Sequence, residues 1–248
     1  MKFKSVAVSA AITVLMFANI ALAADTMKVG VTTTGVPFTF IDTASQRVTG
    51  SMVDLASAIG QDLGVQPEFE VTAFSSLIPS LDIGKIDVIS AGMLVTEARK
   101  KAVDFSDPVY SYGDVMFVAA DNTENYTIEA LKGEVVGAQI GTTFADELKG
   151  LGTFKEVKLY DGIADIMRDV KLGRIKAGFG DQPIIAYQIQ HNPALGVRIV
   201  DGYKPMKTGY VALAVSKKNP ELLNKINSAI AKLKTNGELT KIFAKYGL

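Results

Sequence analysis

Three turns, each at the end of a strand-like run, carry the residue types that could do chemistry. The first lies in Ser90-Ala-Gly-Met-Leu-Val-Thr-Glu-Ala-Arg-Lys-Lys101. Here a buried run ends in the small residues Ala91-Gly92, Thr96 is placed to cap a helix, and Arg99 falls in that helix's first turn. The helix dipole favours anions at that end, so an arginine there is poorly placed for the helix itself. It is well placed for a docking anion, because its planar fork grips a carboxylate through two parallel bonds. A solvated arginine like Lys100 and Lys101 is the plainer reading, and the residues alone leave both open. The second turn, Gly141-Thr142-Thr143, offers hydroxyls and helix N-terminal N–H groups suited to a carboxylate, or simply a helix cap. The third is Asp181, between a strand ending at Gly180 and a helix opened by Pro183; it can accept from an ammonium or cap the helix. Ligands of open α/β sheets sit beyond the carboxyl ends of strands, where all three turns fall.

Enzyme signatures are missing. There is no GxGxxG, Walker loop, HExxH or GxSxG. His191 is the single histidine and ends a polar helix before Asn192-Pro193, which suits a surface terminus better than an oriented catalytic base. No carboxylate cluster has calcium-loop spacing, so no metal and no cofactor is expected. Asp104 and Asp107 read as turn residues and Glu221/Lys225 as a helical pair.

The elements around these turns alternate. Met27, Val29 and Val31 read as a strand, followed by Met52, Leu55, Ala56, Ile59 and Leu63 at helical spacing. Lys85 to Ala91, Glu134 to Ala138, Lys155 to Leu159 and Arg174 to Gly180 read as strands, the last three each followed by a helix. This predicts α/β architecture with largely parallel sheets. Asn219-Pro220 opens a C-terminal helix pair broken at Asn236-Gly237. Val115–Ala119 and Val211–Val215 lack helix partners. They either cross between two lobes or lie in one sheet.

The opening residues predict export. Lys2 and Lys4 precede an uncharged apolar run, and Ala21-Leu22-Ala23 offers a cleavage site, giving an expected signal peptide at 1–23. The run is shorter than the roughly 20 residues that span a bilayer. Of 26 basic and 26 acidic residues, removing Lys2 and Lys4 leaves a net charge of about −2, with no basic footprint for nucleic acid. With no cysteine, disulfides, thiol nucleophiles and thiolate metal sites are excluded.

Several stretches together resemble the extracytoplasmic solute-binding proteins of polar amino acid ABC importers. They are Pro37-Phe-Thr-Phe40, Phe74 through Leu81, Gly84 through Val88, Thr96 through Pro108, Gly141 through Thr143, Gly180 through Pro183 and Asn236 through Phe243. The resemblance implies a two-lobed α/β fold of the type II periplasmic binding kind, with two hinge strands. Lobe one would hold 24–110 and 209–248, and lobe two 111–208. It implies a periplasmic monomer that binds an amino acid or related small carboxylate between the lobes and delivers it to a membrane permease. It carries the carboxylate-binding arginine onto Arg99, backbone contacts onto Ala91-Gly92 and Thr142-Thr143, the ammonium-binding aspartate onto Asp181, and the aromatic packing face onto Phe74.

Three departures bear on the ligand. Leu94 stands where the family has a serine or threonine assisting the ammonium. Gly35 stands in place of an aromatic lid. Thr32 and Met52 replace acidic residues that receive cationic side chains, so the expected ligand is not strongly cationic. An enzyme alternative, a dehydratase of the cyclohexadienyl type on the same fold, would need a buried general acid, for which Glu147 and Asp161 are the lobe-two candidates.

Overall fold

The structure is a computed structural model and describes residues 25–248. The expected signal peptide at 1–23 lies outside the described residues.

The first sheet begins with β1 (Thr26–Val31), where Met27, Val29 and Val31 alternate inward as a half-buried strand requires. A short hairpin follows, β2 (Phe40–Ile41) and β3 (Val48–Thr49). Then α1 (Ser51–Leu63) buries Met52, Leu55, Ala56 and Ile59 and stops at Gly64, whose φ of 69° is left-handed. Next come β4 (Gln66–Val71), α2 (Leu77–Asp82), β5 (Val88–Ile89), α3 (Glu97–Lys100) and β6 (Val103–Phe105). β4 and β5 both run parallel to β1.

The chain then crosses on β7 (Tyr110–Ala119) into a second sheet. There β8 (Val135–Gln139), α4 (Thr143–Leu151), β9 (Glu156–Tyr160), α5 (Ile163–Lys171), β10 (Ala177–Asp181), α6 (Gln182–His191) and β11 (Val197–Ile199) follow the expected alternation. β12 (Thr208–Val211) pairs with the start of β7 and leads back to β13 (Ala214–Ser216), which lies between β5 and β6. Finally α7 (Pro220–Thr235) and α8 (Glu238–Ala244) pack onto the first sheet and α1. The Asn219 side chain caps α7 by accepting from the Leu222 N–H, and Gly237, at φ 77°, turns the chain into α8.

The strand orders are β4-β1-β5-β13-β6 and β11-β7-β10-β8-β9. The sheets are therefore mixed rather than largely parallel. Strands joined by helical crossovers, β4-β1-β5 and β9-β8-β10, are parallel, whereas β13 and β7 arrive from the other lobe without such a crossover and pair antiparallel. The predicted strand 85–91 shrinks to β5, although Asp87 N–H to Lys28 O and Ser90 N–H to Gly30 O continue its ladder. Val115–Ala119 and Val211–Val215 do not share one core sheet. The first lies in β7 of the second sheet, while the second runs from the end of β12, which pairs with the start of β7, into β13 of the first sheet.

Candidate ligand-binding site

The strand ends of the two sheets meet. From the first come Thr32 after β1, Phe74 after β4, Ala91-Gly92 after β5, and Arg99 in α3. From the second come Gln139 and Gly141 to Thr143 at the end of β8, Asp161-Gly162 after β9, and Asp181 at the end of β10. Two hydrogen bonds join the sets: Arg99 Nη2 donates to the Gly141 carbonyl at 3.0 Å, and Gln139 Nε2 donates to Thr34 Oγ1 at 3.0 Å.

Arg99 is fixed from below and spent in both directions. The Thr96 hydroxyl accepts from its backbone N–H at 3.2 Å, as a helix cap should. That cap takes the Arg99 N–H itself, and α3 is a single turn. The fork instead donates to two carbonyls, Leu94 O at 2.7 Å and Gly141 O at 3.0 Å, one from each lobe. Its carbon lies 5.5 Å from the centre of the Phe74 ring, a cation–π distance. Burial lowers its pKa, with Tyr112 and Asp181 pulling the other way. A guanidinium stays charged in any case.

Asp181 occupies the N-cap position of α6, yet its side chain makes no capping bond. Its carboxyl is therefore not consumed by the helix. The residue is 7% exposed, and burial pushes its pKa up to about 6, against the opposing effects of the Tyr112 hydroxyl and the Arg99 charge. Tyr112 links the two. It donates its hydroxyl proton to the Gly92 carbonyl at 2.9 Å, and its own pKa is raised well above the usual range, first by burial and then by Asp181. The sequence reading missed Tyr112. Its signal was a tyrosine in a crossing strand, set opposite Gly209 in the register.

The remaining expected residues divide. Gly92 is held at φ 68°, and a Cβ there would lie 2.9 Å from the Phe38 ring, so glycine is required. Ala91 turns its methyl into the apolar cluster of Leu77, Leu81 and Ile89 and can offer only backbone. The Thr142 hydroxyl is used locally, donating to Gln139 O and accepting from Ala145 N–H, so it is a cap rather than a free donor. Thr143 is half-buried with no such bond. Leu94 packs toward Gly209 of β12, and its carbonyl, not its side chain, faces Arg99. Thr32 is buried and bonded to Thr34, whereas Met52 lies fully inside the core of the first lobe. Of the two substituted acidic positions, Thr32 is tied to the strand ends by its side chain, whereas Met52 meets them only through its carbonyl, which accepts from Ser90 Oγ at 2.7 Å. His191 stacks on Tyr187 at the exposed end of α6. Glu147 is paired with Lys207 at 3.4 Å, and Asp161 is exposed.

Among the described residues no cluster of His, Asp or Glu could hold a metal ion. A surface groove of about 820 Å³ between Asp25–Met27, Asp62–Val65 and α7 shares no residue with the Arg99–Asp181 cluster. The groove's charges pair with one another at the surface, Lys232 with Asp62 and Lys225 with Glu221, whereas the cluster brings a guanidinium and an uncapped carboxyl together from opposite strand ends, so the cluster is the candidate site.

Two α/β lobes on paired crossing strands, with a half-buried guanidinium and a buried carboxyl at their contact, define a two-lobed binding protein. Residues 27–248 match the bacterial extracellular solute-binding proteins, family 3, and the chain belongs to that family. It is 34% identical over 223 residues to ABC transporter arginine-binding protein 1 of Escherichia coli (strain K12), covering 90% of each chain. It is 30% identical to the histidine-binding periplasmic protein of the same organism, over 89% of this chain and 86% of that one. Among solved structures, an ancestral arginine-binding protein bound to glutamine matches with a TM-score of 0.83 at 38% identity, over 89% of this chain and 97% of that one. These relatives are named as binding proteins and not as enzymes, and neither candidate acid for a dehydratase is buried in the cluster.

Proposed function

We propose that this chain is the solute-binding component of an ABC importer. It captures an amino acid between its lobes and delivers it to a membrane permease, acting as a periplasmic monomer after removal of residues 1–23. Lobe one is 24–110 with 209–248, and lobe two is 111–208. The observation that carries the reading is the pair of opposite charges from opposite lobes, the half-buried Arg99 and the buried Asp181, which suits the carboxylate and ammonium of one zwitterion. Such a ligand touches both groups only when the lobes meet, and that differential contact is what drives closure. The carbonyls now held by Arg99 occupy directions in which a carboxylate would accept. Phe74, Gly92, Leu94 and Thr143 line the contact, with Thr142, Ala91 and Thr32 supporting it.

The ligand is not strongly cationic. Relatives named for arginine or histidine are similar to this chain, but Thr32 is neutral, and the groups bonded around it are the Thr34 hydroxyl and the Gln139 amide. Calorimetric titration tests both statements. Arg99→Ala should weaken amino acid binding roughly tenfold to a hundredfold, matching ~1.5–3 kcal/mol for charged hydrogen bonds. Unchanged affinity removes Arg99 from the site, and micromolar binding of lysine, arginine or histidine defeats the charge statement.

A further inference from the structure

Gln139 ends β8, is 5% exposed, and reaches across to the other lobe. Its Nε2 donates to the Asp161 carbonyl at 2.8 Å and to Thr34 Oγ1 at 3.0 Å. A carbonyl can only accept, so Asp161 fixes which way round the amide sits. Oε1 then points away, and among the described residues nothing donates to it.

Thr32 and Thr34 complement it. Their hydroxyl oxygens lie 2.9 Å apart, and Thr32 Oγ1 also accepts from the Thr34 N–H at 2.9 Å. Two hydroxyls bring two protons, and only one can lie between them. Whichever way the pair is turned, one O–H proton has no acceptor among the described residues. This part of the contact therefore presents one spare acceptor from lobe two and one spare donor from lobe one, with no charge.

We infer that this pair selects a ligand side chain ending in a primary carboxamide. A carboxamide N–H donates to Gln139 Oε1 while its carbonyl accepts the threonine proton. A guanidinium or ammonium only donates and leaves that proton unpaired. A carboxylate only accepts and would face the Gln139 oxygen. An aliphatic group satisfies neither, and sites built to hydrogen-bond a polar end discriminate strongly against analogues that lack it. The inference rests on the amino acid reading proposed above.

Titrating the full-length protein after export with L-glutamine, L-glutamate, L-methionine and L-arginine tests it. Glutamine should bind at least about tenfold more tightly than each of the others. The ratio of glutamine to methionine affinity should collapse toward one in Gln139→Leu and fall in Thr32→Val, two variants on opposite lobes. A wild-type ratio near one, tighter binding of arginine, or an unchanged ratio in both variants overturns the inference. If methionine and glutamine bind equally and Arg99→Ala weakens both, the carboxamide inference alone fails. If none of the four binds, the amino acid reading falls and the inference with it.

Discussion

Gly141 of lobe two lies against Ser75 of lobe one so closely that a Cβ on the glycine would fall 2.9 Å from the Ser75 Cα. Real side chains do not approach backbone that closely, and the φ of 80° at Gly141 adds its own penalty for any L residue. The fit exists only with the lobes together.

Gly141→Val should therefore act as a wedge. Ligand affinity should fall by about tenfold or more, equivalent to about 1.4 kcal/mol. The ligand-induced drop in radius of gyration seen by small-angle scattering should vanish. A variant that still compacts and binds like the parent would show that the lobes do not close on this contact.

Asp181 gives a pH dependence of definite sign. Its folded pKa of about 6 exceeds the ordinary 3.8, so between those values the folded ligand-free protein holds a proton that the unfolded chain has released. The stability that Asp181 contributes is therefore fully present below about pH 4 and is lost as pH rises through about 6. Asp181→Asn should flatten that decline and raise the ligand-free Tm at pH 7 by several degrees. Binding of an ammonium runs the opposite way. It needs the carboxylate, so affinity should weaken as pH falls below about 6. Thermal scans and titrations from pH 4 to 8 read both slopes, and a pH-independent Kd in the parent would remove Asp181 from the ligand.

Tyr112→Phe removes one hydroxyl and leaves the buried Gly92 carbonyl without that donor. A buried polar group stripped of its partner costs about 1–3 kcal/mol, which here falls on the closed form. Affinity should drop about fivefold to a hundredfold, with a faster off-rate in stopped-flow measurements. An unchanged off-rate would mean that the hydroxyl does not help hold the lobes shut.

What the sequence made legible, and what it hid, follows from where each partner sits. Arg99, Gly92 and Asp181 could be picked out because each belongs to a strand-end turn whose local pattern is visible within a dozen residues. The Gly141 turn could be found for the same reason, but whether Thr142 caps or offers its hydroxyl stayed open, because nothing in a Gly-Thr-Thr string says that Gln139 O will take the hydroxyl proton. Tyr112 and Gln139 were missed outright. Their partners lie 20 residues away for Tyr112 and 105 for Gln139, in the other sheet's loops, and only the assembled register brings them within reach. Met52 failed in the opposite direction. The resemblance set it at a ligand position, while its helical spacing already put it on the apolar face of α1, and it lies wholly in the core. The antiparallel half of each sheet was hidden because alternation along the chain reports crossovers within a lobe and says nothing about strands arriving from outside it.

β7 passes from pairing with β12 at Gly113 to pairing with β10 at Asp114. Any rotation of one lobe against the other has to be absorbed in the peptide units around that changeover. Tyr112 stands on one side of it, bonded to Gly92, and Asp114 on the other, opposite Asp181. On the function proposed above, an occupant gripped by Asp181 would load the pivot itself. Arrival of cargo and resetting of the joint would then be a single mechanical event, with no relay of side chains needed to report one to the other.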